Sequence, residues 1–154
     1  MRKTHTGEAG QALIELALVM PVFIIMLVGA AELVRVAYAA IEVSNAARSA
    51  AQYGCQNGST ALDPTAMQAV ASADAGNLAN VNTTVAYACK CAAAGVGTSI
   101  ACTQAASDTC TTGGGYVVTN LVITTSANVS PLVHLPGLPN TYTLRGYAVH
   151  EVLR

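Results

Sequence analysis

Five cysteines, Cys55, Cys89, Cys91, Cys102 and Cys110, are the residues of this chain with the widest choice of chemistry: metal ligation, thiol exchange or cross-linking. Cys89-Lys-Cys91 and the Cys102 to Cys110 spacing lack the short paired spacing that structural zinc favours. No Cys-x-x-Cys redox pair and no Cys-x-x-Cys-His haem site is present. Cys89 and Cys91 lie two apart on a predicted strand, poorly placed to bond each other. Each is expected to bond Cys102 or Cys110, in either pairing, so that two disulfides staple a loop to a sheet edge. Cys55 is left over, either unpaired or bonded between subunits. His5, His134 and His150 are scattered, and Asp63, Asp74, Asp108 and Glu151 are isolated. Gly113-Gly-Gly115 leads into a strand pattern and not a helix, which excludes a phosphate loop of the usual kind. No catalytic residue, metal ligand, cofactor or small-molecule substrate is expected, and the chain does not read as an enzyme.

The remaining chemical group is an acid in an unusual place. From Leu16 to Ala31 no residue is charged, and with Ala12, Leu13 and Ile14 the apolar run reaches the roughly 20 residues that a bilayer-crossing helix needs. Glu15 interrupts it near its start. An ionised carboxylate inside a membrane helix costs a few kcal/mol or more unless a cation or protein surroundings compensate. No Lys or Arg lies within a turn or two of Glu15. Either Glu15 sits at headgroup level in water, or its partner is made by processing or supplied by another molecule.

The elements that position these residues follow from composition and pattern. The chain has 154 residues, 53% hydrophobic and 10% charged, with a net charge of -1. Near-neutral charge without a basic cluster argues against nucleic acid as a partner. Arg2 and Lys3 precede the apolar run and all cysteines follow it. Both signals place the N-terminus in the cytoplasm and the cysteine-bearing part in an oxidising compartment, periplasmic or extracellular. Gly29-Ala-Ala31 fits a signal-peptide cleavage site loosely. The helical pattern continues through Glu32 to Val43 without a breaker, however, which favours a retained membrane anchor.

Residues 1–10 are polar and small and are expected to be an unstructured cytoplasmic leader. Residues 11–54 read as one long helix with a membrane-spanning first half, a kink at Pro21 and a cap at Gly54. Its second half carries the stripe Leu33, Val36, Ala40, Val43, Ala47, which packs on the protein's own domain or on a partner helix. Glu32 and Arg35 are spaced to pair. Residues 55–154 form the domain outside the membrane. Asp63-Pro64 starts a short helix ending near Ala75, with Met67, Val70 and Ala71 inward. Alternation then predicts a strand with Val81, Thr83, Val85, Tyr87, Cys89 and Cys91 on one face. Residues 92–115 show no periodicity and are expected to be a loop pinned by cysteines. A strand from Tyr116 and a last strand over 141–153 complete an α+β fold: a pilin-like long helix, a short helix and an antiparallel sheet of about three to four strands.

Gly10-Gln11-Ala12-Leu13-Ile14-Glu15-Leu16 resembles the processing site of type IV prepilin-like proteins, where Gly precedes the scissile bond and Glu is the fifth residue of the mature chain. Continued to Pro21, and joined by Gly29-Ala-Ala-Glu-Leu-Val-Arg35 and Asn45-Ala-Ala-Arg48, it is similar to the TadE-like family. These are pseudopilins and related membrane proteins of tight-adherence (Tad) pilus systems. The resemblance covers residues 10–51 and departs at Leu16, where the family usually has an aromatic, and at Leu33-Val34, where it usually has Phe-Gly. It implies cleavage by a prepilin peptidase between Gly10 and Gln11. It also implies that Glu15 pairs with the new Gln11 ammonium of a neighbouring subunit and sets the axial register. The partners would be the inner membrane and other pilin or pseudopilin subunits, met through the N-terminal helix, possession of a surface filament being one outcome. The alternative is an uncleaved, single-pass scaffold of an envelope assembly or secretion system.

Overall fold

The computed structural model describes residues 6–93, 95–133 and 139–152, with side chains from residue 10 onward. His5, His134 and the first five residues of the expected leader lie outside the described residues. The chain divides into two compact units, residues 1–37 and 38–154.

Helix α1, Thr6–Gly54, runs through both. It begins before the expected residue 11, so residues 6–10 are helical where an unstructured leader was expected. Once a helix is nucleated, each added residue closes one more hydrogen bond at small cost, and nothing in Gly7-Glu-Ala-Gly10 forbids it. In the first unit Leu13, Leu18, Phe23 and Ile25 are each more than half exposed. Glu32 and Arg35 form the expected pair, with 2.9 Å between oxygen and nitrogen.

The second unit is an antiparallel sheet covered on one face by helices. From residue 38 onward, α1 turns Ala39, Val43, Ala46, Ala47, Ala50 and Ala51 inward, all buried. Of the expected stripe, Val43 and Ala47 are buried, Val36 and Ala40 half-buried, and Leu33 is 74% exposed, so it does not pack on the chain's own domain. A seam of alanines lets the helix backbone come close to whatever it covers. Gly54 extends the same logic. A Cβ there would run into the Leu121 side chain and stand 2.5 Å from Met67 Sδ. Gly54 ends the helix as expected, as its last helical residue, and is kept small by packing and not by a left-handed conformation. The left-handed glycines among the described residues are Gly95 and Gly114.

A short turn of helix, α2 (Gly58–Ala61), interrupts the expected linker. Asn57 Oδ1 accepts from Ser59 N at 3.0 Å and Thr60 N at 2.9 Å, and Thr60 Oγ1 accepts from Asn57 N in return. Helix α3, Pro64–Asp74, starts as predicted, with Asp63 accepting from Ala66 N at 2.9 Å. Met67 and Ala71 are buried and Val70 half-buried.

Four strands follow: β1 (Asn82–Ala93), β2 (Val96–Ile100), β3 (Tyr116–Val129) and β4 (Tyr142–Val152), with helix α4 (Gln104–Thr112) between β2 and β3. The sheet order is β2-β1-β3-β4, antiparallel throughout. Alternation places Thr83, Cys89, Leu121, Ile123, Thr125, Ala127 and Ala148 on the buried face, as the period-two pattern requires. Residues 92–115 are not the featureless loop that their composition suggests. Gly95, at φ 81°, supplies the left-handed turn that folds β2 back on β1. Thr103 caps α4 by accepting from Ala106 N at 3.3 Å. Neither element has an apolar stripe, so hydrophobic periodicity could not reveal them.

Candidate functional site: an acid in an exposed apolar helix

Glu15 lies on the exposed part of α1 among side chains that are nearly all aliphatic. Gln11, one turn earlier, donates from Nε2 to Glu15 Oε1 at 3.4 Å, the long end of hydrogen-bond range. Among the described residues no cation pairs with this carboxyl. The intramolecular partner is therefore a neutral amide, and it belongs to the residue that cleavage after Gly10 would make the first of the chain. Gly10 is helical and open, with nothing within 4 Å of where its Cβ would stand. Pro21 sits inside the helix, which continues on both sides of it. Its ring removes one backbone hydrogen bond from the ladder.

The helix holding these residues is the one element, among the described residues, long and apolar enough to cross a membrane; its most apolar window is 0% buried in protein. Exposed aliphatic surface on that scale is incompatible with water as the only solvent. The length, the missing charges and the exposure together make it a candidate membrane span.

The cysteines are sorted into Cys89–Cys102 and Cys91–Cys110. Both bonds tie β1 to the β2–α4 excursion. Cys102 is exposed and Cys89 buried, whereas Cys91 is half-buried and Cys110 buried. Cys55 carries a free thiol, half-buried against the core, and that burial pushes the thiol above its ordinary range. A cleft of about 240 Å³ opens beside Cys89–Cys102, walled by Leu62, Tyr87, Val117, Thr119, Gln104 and Ser107. Tyr87 donates its hydroxyl to the Ala61 carbonyl at 2.6 Å, which fixes the ring, and burial pushes its phenol upward. Among the described residues no group of three or more His, Cys, Asp or Glu side chains converges as a metal site would need. His150 is exposed on β4.

Three positions were not singled out from sequence. Glu42 is only 9% exposed; its Oε1 accepts from Asn77 Nδ2 at 2.8 Å and its Oε2 has no partner. Thr125 donates to the Val43 carbonyl, and Gly146 makes room for that carbonyl. An acid beside an inward Val, and a Gly inside an otherwise regular strand, were the available signals.

Residues 10–52 match the family model described as TadE-like protein. Over those residues the chain is similar to TadE-like proteins. The match begins at Gly10 and ends two residues before the end of α1, so it covers the helix and not the sheet domain. A comparison with curated proteins and one with solved structures found no match. The likeness to TadE-like proteins is thus carried by the helix alone.

Proposed function

We propose that this protein is a structural, pseudopilin-like subunit of a Tad-type pilus assembly, anchored by α1 and assembled through it. The observation that carries the reading is the pairing of an exposed aliphatic helix with a single acid, Glu15, one turn after Gly10-Gln11. A permanent anchor needs neither the acid nor the small residue before it. Cleavage of the Gly10–Gln11 bond by a prepilin peptidase leaves an ammonium on Gln11. That cation, on a neighbouring subunit, replaces the weak amide contact with a charge pair in a low-dielectric environment, where only one axial offset between helices satisfies both groups. Pro21 loosens the helix where it has to leave the bilayer for a filament. The N-terminus faces the cytoplasm and the disulfide-bearing domain faces the periplasm or the cell exterior.

The test is the intact mass and N-terminal sequence of protein extracted unreduced from its native membrane. A chain starting at Gln11 is expected. A chain starting at Met1 would transfer the reading to an uncleaved, membrane-anchored scaffold of an envelope assembly or secretion system.

A further inference from the structure

The two disulfides are chemically unequal, and the difference lies in what surrounds each sulfur. Cys91–Cys110 is the more covered of the two, with Cys91 half-buried and Cys110 buried. Neither of its cysteines is exposed, and Gly115 backs onto both: a Cβ there would stand 2.9 Å from Cys91 Sγ and 3.0 Å from Cys110 Sγ. A hollow between α4 and the β1–β2 hairpin borders this bond, yet leaves Cys110 only 7% exposed. Cys89–Cys102 also borders a cleft, and differs in that Cys102 is exposed, with Cys89 8% exposed. Cys102 is the exposed residue of the pair, and Cys89 Sγ lies 3.7 Å from Thr119 Oγ1.

Thiol exchange needs an attacker with access to one sulfur and a leaving sulfur that tolerates negative charge. This bond has both. We propose that Cys89–Cys102 is a thiol-exchange site opened by a dithiol, and that Cys91–Cys110 is a permanent brace. The dithiol's thiolate attacks Cys102 Sγ, forming a mixed disulfide as the Cys89–Cys102 bond breaks. Cys89 leaves as a thiolate, accepts the Thr119 hydroxyl proton as a hydrogen bond and is then protonated from water. The dithiol's second thiol, as thiolate, attacks its own bridging sulfur and releases Cys102 as a thiolate, which takes up a proton. The protein disulfide is reduced to two thiols and the dithiol is oxidised to its disulfide. Thr119 is a positioning residue that stabilises the leaving sulfur. Opening frees the chain leading into α4 at its capping residue Thr103, while Cys110 still holds the helix's last turn to β1.

The full chain in lipid nanodiscs is exposed to limiting dithiothreitol, acid-quenched over time and alkylated. Trypsin cutting after Lys90, with a protease cutting before Asp74 and Asp108, puts Cys89 and Cys110 on separate peptides. One residue thereby reports each disulfide by mass spectrometry. Cys89 is expected to become alkylated roughly tenfold or more faster than Cys110. Thr119→Val is expected to slow the labelling of Cys89 about threefold, with Thr119→Ser keeping the original rate and Cys110 unchanged in both. Equal rates for the two bonds, or Cys110 first, would overturn the proposal. An unchanged Cys89 rate in Thr119→Val would remove Thr119 from it.

Discussion

The hydroxyl of Thr125 donates to the carbonyl of Val43 across 2.6 Å, a fully buried hydrogen bond between residues 82 apart in the chain. It joins the middle of β3 to the main chain of α1, where the alanine seam brings helix and sheet together. Gly146, the cross-strand neighbour of Thr125, completes the contact, because a Cβ there would collide with the same carbonyl.

Thr125→Val keeps the shape and deletes the donor. The expected cost is about 1–2 kcal/mol, since Val43 retains its helical hydrogen bond, and Thr125→Ser should recover most of it. Gly146→Ala should cost more, about 3 kcal/mol, because the atom in its way is backbone and cannot swing aside. Thermal unfolding of the full chain in detergent, followed by near-ultraviolet circular dichroism, measures all three.

Glu42 and Asn77 make a second polar contact under the helix. Asn77→Ala leaves the buried Glu42 carboxyl without its donor and should cost about 2–3 kcal/mol. Adding Glu42→Leu to that variant should restore stability, because replacing both partners removes the unpaired group. Strict additivity in this double-mutant cycle would show that the 2.8 Å contact carries no coupling.

Glu15→Ala should abolish or strongly reduce filament assembly while leaving the unfolding of the sheet domain unchanged to within about 0.5 kcal/mol, as for an exposed site. Sheared filaments counted by electron microscopy, beside the unfolding curve, separate the two effects. Normal assembly would sink the proposed register role.

Cys55 gives a pH-dependent readout. Burial raises its thiol pKa, so any stability linked to it is fully present below the unfolded pKa and is lost as pH rises through the folded one. Alkylation at pH 8 should accordingly be slower in the folded protein than in the denatured one, with the gap narrowing as pH increases. Identical rates at pH 8 would contradict the burial of this thiol.

The readings that held were those in which side-chain type acts locally. An uncharged run of membrane length, an Asp-Pro helix start and strict alternation in β1 and β3 each announce their structure within a few residues. The long helix and the α+β order follow from these. What stayed hidden depends on partners distant in sequence. Leu33 extends the apolar stripe on paper, but is exposed because the buried face follows Ala39, Val43 and Ala46 instead. Gly54 ends the helix as expected, but the need for glycine there shows only once Met67 and Leu121 are placed against it. The β2–α4 excursion is held by ladder bonds, a Thr103 cap and sulfur, none of which leaves an apolar period. For Glu15, sequence identified the missing cation, and the structure added the Gln11 amide in its place.

The excursion has a further consequence for how the chain is made. Its disulfides span 13 and 19 residues, and both tie the end of β1 to the connection that leads to β3. Strand pairing of Asn82 with Ser126 through Ala92 with Tyr116 encloses that connection without passing through it. Oxidation can then follow the search for topology, acting on sulfurs already gathered by the hairpins. A newly synthesised chain can complete its central strand pair while still reduced, and later loss of one sulfur bond alters an edge of the fold without erasing its plan.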